Sequence, residues 1–321
     1  MTSRAAIVGP FTGPSLHFKE PHFDDPANLA LWSDGPRVTA CFTELVEGLL
    51  FKANNSAKQA KLEYTNLQAS TLQRKPLVTL RAPRKAQFKK QLDLVAAYAD
   101  LRPDRASEIV AQIPYPLAFW ASVIGLHGHR HQKTLQLLDL AFGLAVHVAM
   151  RFKHIFAIAR PVAFSPQIQP MVPTPGHGSW PSGHATEAFL TATLIENLLN
   201  VASRQGHHNG TDSREQLQRL AARISVNRTV AGLHYPVDSA AGRLLGTALA
   251  EFIVARATGG KLHERGFDGS QYEDTGGAAL DFSLHQPLDH DHGYSREAQA
   301  TAIGQAPLVA WLWKEAVKEW A

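Results

Sequence analysis

Apolar residues recur at three- and four-residue intervals over most of this 321-residue chain, a spacing that predicts helices. The stretches that read as helical are Val38–Lys52, Lys85–Ala99, Arg105–Gln112, Pro116–Ile124, Thr134–Ala159, His184–Ser203, Glu215–Val230, Val237–Ala257 and Pro307–Trp320. Strand signals are few, the best being Leu77–Leu80, so the pattern predicts an all-α helical bundle. Between Pro161 and Pro181 the chain holds Pro166, Pro170, Pro173, Pro175, Gly176 and Gly178, which forbid a continuous helix and predict a stiff, turning loop. Polar Gln205–Arg214 reads as an exposed connection. Gly259–Arg296, rich in Gly, Asp and His, reads as an extended surface segment. The length suits one helical domain over residues 1–321, with a core at 132–257 and a loop-rich extension over 258–321 that ends in a helix. No internal repeat or heptad is evident.

Hydropathy and charge narrow the class. A membrane-spanning helix needs about 20 mostly apolar residues. Leu137–Phe152 is interrupted by Asp139, His147 and Arg151, and Ala240–Ala255 by Arg243 and Glu251, so neither is expected to span a membrane. Met1–Leu16 holds Pro10, Gly13 and Pro14 and lacks the apolar centre of a secretory signal, which makes a cytoplasmic protein the expectation. Lys and Arg number 32 against 28 Asp and Glu, a net charge of +4 that is too mild for a nucleic-acid surface and compatible with small anions. Cys41 stands alone, so no intramolecular disulfide forms. No dinucleotide fingerprint or phosphate-loop motif is present. Trp120, Trp311, Trp313 and Trp320 read as core or as contacts of a homodimer.

The candidate chemistry lies in three clusters: Lys153 with Arg160, the run Pro181-Ser182-Gly183-His184, and Arg228 with His234 and Asp238. Arginine offers planar forked donors that match tetrahedral oxyanions, and lysine adds a compact positive charge. A Ser-Gly turn ahead of an apolar helix points backbone N–H groups at a ligand. Two histidines leave one imidazole to bond the central atom and one to move a proton. Lys153 and Arg160 are seven apart, which predicts one face of one helix closed by Pro161. Their neighbours Phe156, Ala157 and Ile158 are apolar, so these cations are expected to be buried and to seek an anion. Pro236 suits the first turn of a helix, which lets Asp238 take the imidazole proton of His234 and fix its tautomer.

Lys153, six residues, Arg160-Pro161, then Pro181-Ser182-Gly183-His184, then Arg228, five residues, His234, three residues and Asp238 resembles a known three-part signature. It is shared by vanadium-dependent haloperoxidases and the type 2 phosphatidic acid phosphatase superfamily. There the last arginine commonly follows a serine, where this chain has Asn227. The resemblance implies that Lys153, Arg160 and Arg228 bind the oxyanion and that Ser182 and the Gly183 N–H complete its cradle. It also implies that His234 bonds vanadium or phosphorus and that His184 is the acid/base. The implied cofactor is vanadate, with phosphate able to occupy the same site, because vanadate adopts the five-coordinate geometry that phosphate reaches in its transition state.

His177 bears on which activity is expected. In haloperoxidases the place five residues before the serine is held by histidine in bromoperoxidase-like members and by phenylalanine in chloroperoxidase-like ones. The resemblance therefore implies a bromoperoxidase- or iodoperoxidase-like bacterial enzyme acting on hydrogen peroxide and halide. A phosphatase acting on a phosphomonoester or lipid phosphate, with His234 as nucleophile, is the alternative, and the short chain suits it. His127, His129 and His131, like Asp289, His290, Asp291 and His292, lack the ligand spacing of a zinc site and read as solvent-exposed. His207 and His208 read the same way.

Overall fold

A computed structural model of the chain describes residues 7–13, 21–66, 73–204, 213–288 and 293–320. Helix α1 (Asp34–Val46) ends just before Gly48, whose φ of +85° turns the chain away from the helical path. A hairpin follows, β1 (Leu50–Asn54) and β2 (Gln59–Asn66), and then β3 (Gln73–Arg81). Helices α2 (Lys85–Ala97), α3 (Arg102–Ala111) and α4 (Leu117–Ile124) lead to the long α5 (Gln132–Phe156) and the short α6 (Pro161–Phe164). The central helices are α7 (Gly183–Arg204), α8 (Arg214–Val230) and α9 (Pro236–Thr258). Strands β4 (Lys261–Leu262), β5 (Arg265–Asp268), β6 (Ser295–Glu297) and β7 (Thr301–Ala302) precede α10 (Pro307–Lys318).

The fold is mostly helical, but it is not all-α. Strands β1, β2, β3, β5 and β6 form one five-stranded sheet in that order, and β4 pairs with β7. All the pairings are antiparallel except β3 with β5. Strand β2 alternates in burial, with Ala60, Leu62 and Tyr64 inward and Lys61 and Glu63 on the opposite, partly covered face, the period-two pattern of a strand. Two expectations fall with this sheet. Leu50–Lys52, read as the end of a helix, is strand, and Arg265–Phe267, read as surface, is buried in the sheet. The strand expected at Leu77–Leu80 is present within β3.

The core is built around α7 and α9, which approach backbone to backbone. A Cβ on Gly246 would lie 2.3 Å from Thr186 O, and one on Gly242 would lie 2.8 Å from Ser182 O, so only glycine allows this separation. Helices α5 and α8 pack against α7, and Leu144, Val148, Phe152, Phe189, Leu190, Leu244, Leu245 and Leu249 fill the space between. The stretch Gln132–Phe164 is long and apolar enough to cross a membrane by length and composition, and 56% of its apolar window is buried inside the protein. Helix α10 packs on α1, α5 and α9. Glu44 of α1 accepts from Leu308 N and Val309 N at the start of α10. Glu319 after α10 accepts from Lys133 N and Thr134 N at the start of α5. Trp120, Trp313 and Trp320 are buried, Trp311 is partly buried, and Cys41 is free and buried.

Candidate active site

Lys153 sits in the last turn of α5, and the helix stops at Phe156 because Ala157 adopts a left-handed conformation with φ 48°. Lys153 and Arg160 therefore do not share a helix. Arg160 lies in extended backbone as the residue before α6, where Pro161 opens a helix rather than closing one. The turn still brings the two cations to one place, since both reach the loop ahead of α7. Lys153 Nζ donates to Gly178 O at 3.0 Å and Ser179 O at 2.7 Å, and Arg160 Nε donates to His177 O at 3.1 Å. Gly178 eases this approach, because a Cβ there would lie 3.1 Å from the Lys153 carbonyl oxygen, a tight contact.

Ser182 caps α7. Its Oγ accepts from Ala185 N at 3.3 Å, which directs the free N–H groups of Gly183 and His184 outward from the helix end. The Ser182 N–H donates to Asp238 O at 2.9 Å, so the start of α7 is tied to the first turn of α9. Asp238 lies three residues past Tyr235, the residue that precedes α9, and its Oδ2 accepts from Tyr235 N at 3.2 Å. The same oxygen lies 2.8 Å from His234 Nδ1 and accepts the Ser179 hydroxyl. The imidazole Nδ1–H therefore points at the carboxylate. His234 Nε2 faces Arg160 Nη1 at 3.3 Å, while that nitrogen also donates to Leu233 O at 2.9 Å.

Arg228 comes from the last turn of α8 and is buried. Its Nη2 donates to Ile109 O and to Gln112 Oε1, both at 3.1 Å, while Nε and Nη1 have no partner. Asn227, in place of the signature serine, donates to Glu108 Oε1 and Gln112 Oε1 at 2.9 Å and accepts from Arg105 at 3.0 Å. Gln112 also receives the Nε2 of His184 on its backbone carbonyl at 3.1 Å. One residue after α3 thus holds both a cation and a histidine of the site.

Burial sets the electrostatics. It pulls Lys153 down to about 7, with Arg160 adding to the fall, and Arg228 down to about 10. It pulls His184 down to about 4, helped by Arg228, and His234 well below the ordinary imidazole range, so both rings are neutral at neutral pH. Asp238 is pushed up to about 6 by burial, against the opposing pull of its Ser179 hydrogen bond and the lysine. His177 is half-buried with Nδ1 3.3 Å from Arg160 Nη2 and 3.1 Å from Gly178 O, and burial lowers it also. Three buried cations, two of their guanidinium nitrogens without partners and a helix N-terminus fit a tetrahedral oxyanion, vanadate or phosphate.

All nine residues singled out from the sequence lie on the loops and helix ends of this one region. Ser179, Gln112, Asn227 and Glu187 belong to it as well and had not been singled out as contributors. Among the described residues no three or more His, Cys, Asp or Glu side chains are grouped as metal ligands. His131 instead stacks on Trp320 with ring centres 4.3 Å apart and takes the His127 N–H on its Nδ1. His207, His208 and Asp289, His290, Asp291 and His292 lie outside the described residues, as does most of the Gln205–Arg214 connection.

Residues 136–258 match the family model described as PAP2 superfamily. That stretch runs from α5 through α9 and contains every cation, histidine and carboxylate of the expected signature. No curated protein matches the chain. The match supports the superfamily and leaves haloperoxidase and phosphatase equally open.

Proposed function

We propose that the protein is a vanadate-dependent haloperoxidase-like enzyme that uses hydrogen peroxide to oxidise bromide or iodide. The observation that carries this reading is His177: a third imidazole, in contact with Arg160 beside the oxyanion cradle, that phosphate chemistry does not need. Lys153, Arg160, Arg228 and the Gly183 N–H would hold vanadate, and His234 Nε2 would bond it. Bound vanadate would supply a Lewis-acidic centre that polarises oxygen without changing oxidation state. Asp238 holds the His234 proton on Nδ1, which keeps the Nε2 lone pair available. Arg160 steers that nitrogen. His184 donates Nε2–H to the Gln112 carbonyl and is neutral, so it would be the group that takes a proton from incoming peroxide and returns it later.

A phosphatase reading has its own support in the His234–Asp238 pair, which equally suits a nucleophile attacking phosphorus while the cations stabilise the equatorial oxygens. The two separate in a side-by-side assay of purified protein. One arm contains orthovanadate, peroxide and bromide or iodide, and the other a phosphomonoester. Halide oxidation is expected, together with a shifted pH profile or halide ratio in His177→Phe at undiminished vanadate affinity. Phosphomonoester turnover without halide oxidation would overturn the peroxidase assignment.

A further inference from the structure

Glu187 is the titratable group in this region that the roles above leave unused. It lies one turn beyond Gly183 on α7, so the two share a helix face. A Cβ on Gly183 would sit 3.5 Å from Glu187 Oε1 and 3.8 Å from Lys153 Cε, which puts the carboxyl over the glycine of the cradle with the lysine stem alongside. Among the described residues the Glu187 carboxyl makes no hydrogen bond or ion pair. The Lys153 ammonium is committed to the carbonyls of Gly178 and Ser179. The charged and titratable groups around Glu187 are Lys153 from α5, Arg228 from α8, neutral His184 on its own helix and Tyr115 from the segment before α4.

We propose that Glu187 sets the ligand class of this site: as a carboxylate it accepts a hydrogen bond from an acidic O–H of the bound anion. The site then prefers tetrahedral oxyanions that still carry a proton, such as hydrogenphosphate or hydrogenvanadate, over fully ionised ones such as sulfate. This rests on the oxyanion reading above. An ionised carboxylate only accepts hydrogen bonds, so facing sulfate it meets lone pairs with lone pairs, while facing hydrogenphosphate it meets a donor. Hydrogenphosphate and sulfate have equal charge and similar shape and differ by that one proton. Above neutral pH, attraction by Lys153, Arg160 and Arg228 acts on both alike and cancels in the ratio of affinities; in acid, phosphate takes up a second proton and loses a charge, so there the ratio is compared between wild type and a Glu187 variant. Burial pushes Glu187 up to about 7, so on the acid side of neutrality the group is a neutral acid that donates to either anion, and the preference fades. A fully ionised phosphomonoester lacks the proton too, so it falls in the disfavoured class with sulfate.

The test is calorimetric titration of inorganic phosphate and of sulfate into the wild-type protein and Glu187→Gln, above and below neutral pH. In mildly alkaline buffer the wild type is expected to bind phosphate at least about tenfold more tightly than sulfate, which corresponds to about 1.4 kcal/mol. In acid the ratio should fall more steeply than in Glu187→Gln, because phosphate loses a charge in both proteins and the wild type loses the Glu187 preference as well. Glutamine can donate to either anion at any pH, so the variant should gain sulfate affinity and lose the preference throughout. A wild-type ratio that falls in acid no more steeply than the variant's, or a glutamine variant that keeps the wild-type ratio, would overturn the assignment. If Glu187→Gln does not fold, Glu187→Met, which neither accepts nor donates at that position, takes its place and should likewise lose the preference in alkaline buffer. Failure of both anions to bind either protein would remove the oxyanion reading itself, whereas phosphate binding without preference would remove the role of Glu187 alone.

Discussion

At the scale of the residue, Arg228 has the plainest debt to a ligand. Its guanidinium remains cationic at neutral pH even though burial pulls it to about 10, and two of its nitrogens have no partner. Arg228→Lys keeps a charge but loses the fork, and is expected to weaken phosphate and vanadate by roughly tenfold to a hundredfold, in line with about 1.5–3 kcal/mol for charged hydrogen bonds. Calorimetry showing undiminished affinity would sink its place in the cradle. Lys153 carries a pH prediction. Burial depresses its pKa to about 7, so it is charged below that pH and neutral above it, and an anion binds the charged form. Affinity for sulfate, whose own charge is constant over this range, should therefore fall as pH rises through 7, and Lys153→Met should flatten that component at a low affinity. The residues of the signature were legible because their chemistry and spacing are unusual together. Ser179 was hidden in a run of glycine and proline where a hydroxyl signals nothing, and Gln112 acts largely through its backbone carbonyl, which no side-chain pattern reveals. Glu187 did leave a signal, an acid one turn past the cradle glycine on an apolar helix.

Among the elements, helix periodicity located nearly every helix, since each hides a wide apolar face in one shared core. The breaks were harder. Nothing in Phe156–Ile158 forbids helix, and the left-handed turn at Ala157 is held by tertiary contacts, among them Ser179 N donating to Ile158 O at 2.8 Å. The sheet was missed for two reasons. Strand β2 shows its alternation over only a few residues among Lys and Glu, and the pairing of β3 with β5 joins segments almost two hundred positions apart. The pairing of α7 with α9 yields the prediction at this scale. Gly246→Ala would force a methyl against the Thr186 carbonyl, and relief requires the helices to part. A loss of about 1–3 kcal/mol in denaturant unfolding is expected, the cost of overpacking a filled core. Anion affinity should drop with it, because Ser182–His184 and His234 ride on the two helices that separate. A variant as stable as the wild type would show that the contact is looser than the backbone distances imply.

Across the whole molecule, helix caps fasten the segments outside the site to the helices that carry it. Glu44 on α1 caps α10, and Glu319 beyond α10 caps α5, which carries Lys153 at its far end. Glu319→Ala removes the acceptor of two backbone amides and of the Thr134 hydroxyl, and should destabilise the fold by about 1–2 kcal/mol, as lost caps do. Anion affinity should stay unchanged, because the loss falls at the opposite end of a helix more than six turns long. Weakened phosphate binding in a folded Glu319→Ala protein would instead mean that the far end of α5 positions the lysine. The hydrogen bond from Ser182 N to Asp238 O has a consequence for isotope exchange. Its amide lies just before α7 and belongs to no helical ladder, so its position in the chain suggests the rapid deuteration of a loop. Yet it can open only if two helices locked at their glycines move apart, an event close to global unfolding. In heavy water the Ser182 amide should retain its proton as long as the amides in the middle of α9.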